Sequence, residues 1–197
     1  MHKSAGDDAI QVSAVDLLAL ISVPKIGNTR AMELIRIFGS LQELFAAPAR
    51  EIAKSIAVPV EVGKSVVEAG RSREKYQKIV DKARKANINI VSFWDEDYPV
   101  RLKSIPNPPV VLFTRGQTSP LYDYAIATVG TRAASSHGKN IAMRISSQLA
   151  SAGITIVSGM ALGIDSASHR GALKAGGRTI AVLGCGADVI YPPANRP

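Results

Sequence analysis

The chain has 197 residues, 46% of them hydrophobic and 20% charged, the composition of a globular protein long enough for one domain or two small ones. One cysteine excludes an intrachain disulfide and fits the cytosol, one cysteine with three histidines leaves no structural zinc set, and no apolar run approaches the roughly 18 residues of a membrane span. The net charge is +8 and unevenly placed: from Val100 onward ten Lys and Arg face three acids, Asp123, Asp165 and Asp188, against fourteen and thirteen before it.

The opening MHKSAGDDAIQ lacks a hydrophobic signal core and reads as a frayed terminus. Val15–Val23 is apolar with helical periodicity, Val23-Pro24-Lys25-Ile26-Gly27 interrupts it, and Asn28 or Thr29 can cap a second helix carrying Met32, Leu34, Ile35 and Phe38. Two helices around a short hairpin ending in Ile-Gly have the order of a helix-hairpin-helix, whose hairpin amides contact nucleic-acid phosphate without reading bases. A simple αα-hairpin packing element has the same order. Phe38-Gly39 stops the helix and Ser40 caps Leu41–Ala46.

Helix continues over Glu51–Ala57 and Pro59–Ala86, with Val62, Val66, Val67, Ala69, Tyr76, Ile79, Val80 and Ala83 inward. Arg71, Arg73, Lys75, Lys78, Lys82, Arg84 and Lys85, interspersed with Glu74 and Asp81, read as a solvated face with i,i+4 pairs, DNA contact being the lesser alternative. Ile88–Phe93 and Val110–Phe113 read as strands. The proline-rich Trp94–Pro109 between them cannot be regular helix, and its Tyr98, Leu102 and Ile105 are expected to dock on the core. Trp94 and Tyr98 suit core packing more than base stacking.

From there the pattern changes. Ala125–Val129, Ile154–Val157 and Thr179–Leu183 are apolar strands, each followed by a glycine turn, and two helices join them. Ser135 or Ser136 caps the first helix, which runs to about Ala152. Asp165 and Ser166 are N-caps for the second. This β-α-β-α-β order predicts a parallel, Rossmann-like sheet, and ligands of open α/β sheets bind at the carboxyl ends of the strands. Glycine loops running into capped helices bring free N–H groups and the positive helix end together, a geometry for an oxyanion. Neither loop is GxGxxG or GxxxxGK(S/T), so neither a dinucleotide fold nor an NTPase follows, and a tight turn with no ligand stays open. The basic excess of this half fits a polyanion surface, although no dense basic cluster exists.

Arg132, after Gly130 and Thr131 at a strand end, is the first choice to grip a phosphate in two-pronged fashion, the alternative being a salt bridge to Asp165 or Asp188. Thr131 and Ser158 offer hydroxyl donors. Gly130, Gly159 and Gly163 permit close backbone approach, Met160 belongs to the same loop, and Lys139 is an auxiliary contact. Asp165 is a cap rather than a general base, His169 a packing or capping residue, His137 exposed, and Cys185 a buried thiol. No catalytic or metal-binding residue is assigned.

VGTRAASSHG (Val129–Gly138), SGMALGIDSASHRGAL (Ser158–Leu173) and GGRTIAVLGCGADVIYPPAN (Gly176–Asn195) resemble, in order and spacing, the successive motifs of the DNA-processing protein A (DprA/Smf) family. Leu162 departs from them, since the family often has arginine or an aromatic there. The resemblance implies an incomplete Rossmann-like parallel sheet over 87–197, and the helical periodicity before it points to a small all-helical domain of SAM or helix-hairpin-helix type over 1–86. It implies single-stranded DNA as ligand, which agrees with the anion site read above from Gly130, Thr131, Arg132, Lys139, Ser158, Gly159, Met160 and Gly163. It also implies RecA recombinase as partner during natural transformation, a homodimer of the complete protein, a cytoplasmic location without membrane association, no cofactor and no hydrolysis. A further helix, a strand and an FPxRNR-like motif are expected after Pro193, so the chain reads as an N-terminal fragment or truncated reading frame. A nucleotide-processing enzyme of the lysine-decarboxylase-like Rossmann group is the alternative, without that group's PGGxGTxxE segment. A helix-hairpin-helix interaction module with a ligand-free α/β part is the third.

Overall fold

A computed structural model describes residues 12–117 and 124–193. The N-terminal stretch read as frayed, Asp123 and the last residues of the third motif lie outside the described residues. The chain divides into two compact units, 1–115 and 116–197.

The first unit opens with six helices: α1 (Ala14–Ile21), α2 (Asn28–Phe38), α3 (Leu41–Ala46), α4 (Ala49–Ser55), α5 (Val60–Arg71) and α6 (Arg73–Lys85). Ser13 and Ser40 cap α1 and α3 through their hydroxyls, as side chains with a short oxygen do. At α2 the cap is Gly27, not Asn28 or Thr29, because both side chains are engaged elsewhere. Asn28 Oδ1 accepts from Val110 N at 3.2 Å, and the Thr29 hydroxyl donates to Asn107 at 3.2 Å. The long helix expected over Pro59–Ala86 breaks at Ser72, whose N–H bonds back to Glu68 and Ala69 carbonyls. Leu17, Leu20, Leu34, Ile35, Leu44, Ile52 and Val66 are fully buried between the helices. Asp16, 3% exposed, receives two donors from Arg73 and so ties α1 to α6.

The boundary falls after Arg115 rather than after residue 86, and the first unit is not all helical. Strands β1 (Asn89–Ser92) and β2 (Val111–Thr114) pair antiparallel, Asn89 opposite Thr114, and Ile90, Trp94, Val110 and Val111 pack on the helical core. Hydrophobic burial therefore assigns the ribbon to the helices. Between the strands lies a one-turn helix, α7 (Val100–Lys103). Tyr98 docks as expected, buried with its hydroxyl on the Pro109 carbonyl at 2.7 Å, whereas Ile105 is exposed. Ile79, expected inward, is also exposed.

The second unit alternates β3 (Ala125–Ala127), α8 (Ser136–Ser151), β4 (Thr155–Ser158), α9 (Ile164–Lys174) and β5 (Thr179–Ala181). The strands are parallel in the order β3-β4-β5, with Ile126 beside Ile156 and Ile156 beside Thr179. This is the Rossmann-like arrangement. Ser135 caps α8, its Oγ accepting from Gly138 N at 3.1 Å. α8 and α9 meet through small residues, Ser146, Ala150, Gly171 and Ala172, all buried. A Cβ on Gly171 would lie 2.3 Å from the Met143 carbonyl oxygen, so the helices approach as closely as backbone allows. Among the described residues β3 and β5 each pair on one side only.

Candidate nucleic-acid interface

The β3–α8 and β4–α9 loops meet at the carboxyl edge of the sheet. Gly163, at φ 86°, begins α9 beside the first loop, and Ile164 N donates to the Thr131 carbonyl at 3.3 Å. A Cβ on Gly163 would sit 2.2 Å from Thr131 O, and one on Gly130 2.5 Å from Ile164 Cγ1. The contact of loop against loop therefore requires both glycines. The sequence marks the glycines but not Ile164, because the contact joins residues far apart in the chain.

The second loop is closed from inside. Asp165 is not the cap of α9; it lies in the first turn, 7% exposed, and its Oδ2 accepts from Gly159 N at 3.2 Å and Ala161 N at 3.3 Å. The amides expected to meet a phosphate thus hold an internal carboxylate. Ser158 is likewise spent: it is buried and donates to the Thr128 carbonyl at 2.7 Å. Met160, half-buried, adopts a left-handed φ of 60°, a costly conformation for a residue with a side chain.

The first loop is open. Gly130, Thr131 and Arg132 are exposed, and so is Lys139 in the following helix. Thr131 Oγ1 accepts from Ala133 N at 3.2 Å, which leaves its own proton to donate. Among the described residues Arg132 is in neither of the ion pairs formed, and Asp165 is turned to the loop amides. Ser135 has taken one of the first-turn amides of α8, and the positive end of that sixteen-residue helix lies between Arg132 and Lys139 in sequence. The structure thus leaves Thr131 and Arg132 exposed in the loop before α8, and turns the Ser158 hydroxyl and the Gly159 amide inward.

Beneath the loops His169 is 9% exposed. The Thr179 hydroxyl donates to Ile156 O at 2.8 Å, so His169 Nδ1 must be the donor in its 2.6 Å contact with Thr179 Oγ1. Nε2 is left bare and buried. Burial pushes the imidazole below its usual range, opposed in part by the Asp165 charge. Cys185 is half-buried rather than buried. Among the described residues no set of three His, Cys, Asp or Glu gathers to hold a metal, and no helix is long and apolar enough to cross a membrane.

The profile of the family described as DNA recombination-mediator protein A matches residues 87–197. Protein Smf of Synechocystis is 46% identical over 106 residues, 52% of this chain and 27% of the relative. DNA processing protein DprA of Bacillus subtilis is 38% identical over 122 residues, 61% of this chain and 41% of the relative. The X-ray structure of DNA processing protein A from Streptococcus pneumoniae superposes with a TM-score of 0.70 at 29% identity, covering 94% of this chain and 62% of that one. The chain thus spans well under two thirds of the curated relatives it matches.

Proposed function

The chain belongs to the DNA recombination-mediator protein A family, and from that premise we propose that it binds single-stranded DNA through the β3–α8 loop, protecting incoming strands and helping to load a RecA recombinase on them during natural transformation. In this reading the protein works as a cytoplasmic homodimer when complete, is not an enzyme, and uses 87–197 as its DNA-binding domain. The observation that carries it is Arg132: exposed, outside the ion pairs seen among the described residues, and held by a loop whose backbone is wedged against Gly163 and Ile164. Thr131, Lys139 and the positive end of α8 supply the other donors, with Gly130, Met160 and Gly163 shaping the edge. Ser158 and Gly159 act from behind, as supports of the second loop.

Such a site neutralises phosphates and reads no base edges, so affinity should be salt-dependent and weakly sequence-selective. Fluorescence anisotropy with a labelled oligothymidylate and its duplex tests this. Tighter binding of the single strand, weakening steeply between about 50 and 200 mM salt, is expected. Equal affinity for both forms, or turnover of a nucleotide without DNA binding, would sink it.

A further inference from the structure

Resting on the reading of the chain as a DNA binder, we propose that the outer face of α6 is a second contact surface for single-stranded DNA, a lysine stripe on the helical unit that engages the phosphate backbone. Lys75, Lys78, Lys82 and Lys85 are all exposed. Their spacing of three, four and three residues places them within an arc of about 80° along about 15 Å of helix. Tyr76 and Ala83 hold the opposite side of α6 in the core, so the stripe faces solvent.

Charge in the first half of the chain is separated rather than balanced. Seven of the fourteen Lys and Arg before Val100 lie between Arg71 and Lys85, with only Glu74 and Asp81 against them; elsewhere in that half seven face eleven acids. Both acids of α6 are occupied locally. Glu74 pairs with Lys78 at 2.7 Å, and Asp81 accepts from Gln77 at 2.9 Å. The Glu74–Lys78 pair is highly exposed, so it holds Lys78 only weakly and opens at little cost beside a phosphate.

The helix macrodipole explains Lys82, Arg84 and Lys85 in the last turn, where cations are favoured. It does not explain Lys75, which stands in the first turn where cations are disfavoured and whose Nζ lies 5.5 Å from the Tyr76 ring centroid. Ser72 gives that end no side-chain cap. An oxyanion there relieves both Lys75 and the helix pole. A membrane surface fits less well, because such helices present a broad apolar face beside the charge and, among the described residues of α6, Ile79 is the one large hydrophobic side chain exposed.

The test uses the whole chain and a labelled oligothymidylate over a salt series. K75Q/K78Q/K82Q/K85Q is compared with R36Q/R50Q/K54Q/K64Q, which removes equal charge from exposed positions of the same unit. The stripe variant should bind about tenfold or more weakly at low salt. Its log K against log salt plot should flatten by about 0.7 for each phosphate no longer neutralised, a shift the control lacks. Lysine acetylation of the wild type gives a readout independent of any variant's folding: DNA should protect the four stripe lysines and leave Lys54 and Lys64 reactive. Unchanged slope or unprotected lysines, with salt-dependent binding intact in the wild type, overturns the stripe alone. Binding to anionic vesicles but not to DNA, or no binding by the wild type, overturns the stripe together with the reading it rests on.

Discussion

Arg132 and Asp165 stand at the same sheet edge with opposite assignments. Arg132→Ala should weaken single-stranded DNA binding by about 1.5–3 kcal/mol, the range of a charge-assisted hydrogen bond, and leave the melting temperature unchanged. An unaltered titration removes Arg132 from the site. Asp165→Ala orphans the Gly159 and Ala161 amides. It should cost about 1–3 kcal/mol of stability, seen in chemical denaturation. DNA affinity lost with stability intact would instead make Asp165 a contact residue. His169 sets a pH dependence. Its folded pKa lies below the usual value of about 6.5, so the fold holds the neutral imidazole. The stabilisation is present above that unfolded value and is lost as pH falls through it toward the folded one. Melting temperature should therefore drop as pH falls below about 6.5, and His169→Gln should flatten the drop. An identical pH profile in the variant refutes the assignment.

Elements in the second unit are held by backbone contact at glycine. α8 and α9 cross where Gly171 meets the Met143 carbonyl, so Gly171→Ala drives a methyl into main chain that side-chain adjustment cannot relieve. The expected loss is about 1–3 kcal/mol, the usual cost of overpacking. Gly184→Ala, with nothing within 4 Å of the added carbon, is the matched control and should be neutral. Equal melting of the two variants would show that the helices can separate locally without cost.

For the whole molecule, the two compact units divide at Arg115 and Gly116. Limited trypsin digestion should cut after Arg115 and leave two resistant fragments. Lys85, the last tryptic site before β1, should resist, because Ile88 is buried and β1 is laddered to β2. Early cleavage after Lys85, with Arg115 spared, would restore the boundary to the end of α6.

What could be read from the chain alone was whatever local rules decide. Helical periodicity, the Ser40 and Ser135 caps, the three apolar strands and their glycine turns lie within a few residues of their causes, and the motif order from Val129 to Asn195 pointed to the family. The candidates Thr131, Arg132 and Lys139, which the structure leaves exposed, were named on the same ground: their chemistry is their own. Only the tertiary structure decided which groups were already spent. Ser158 finds Thr128 across the sheet, Asn28 finds Val110 at the ribbon, Gly130 finds Ile164, and Asp165 turns back on two amides that precede it. Hydrogen bonds and close packing join residues that the chain brings together only on folding, and a buried polar group takes whatever partner the fold places within reach. The β1–β2 ribbon follows the same logic. Its sequence says strand, but burial of Ile90, Val110 and Val111 on the helical core says to which unit it belongs.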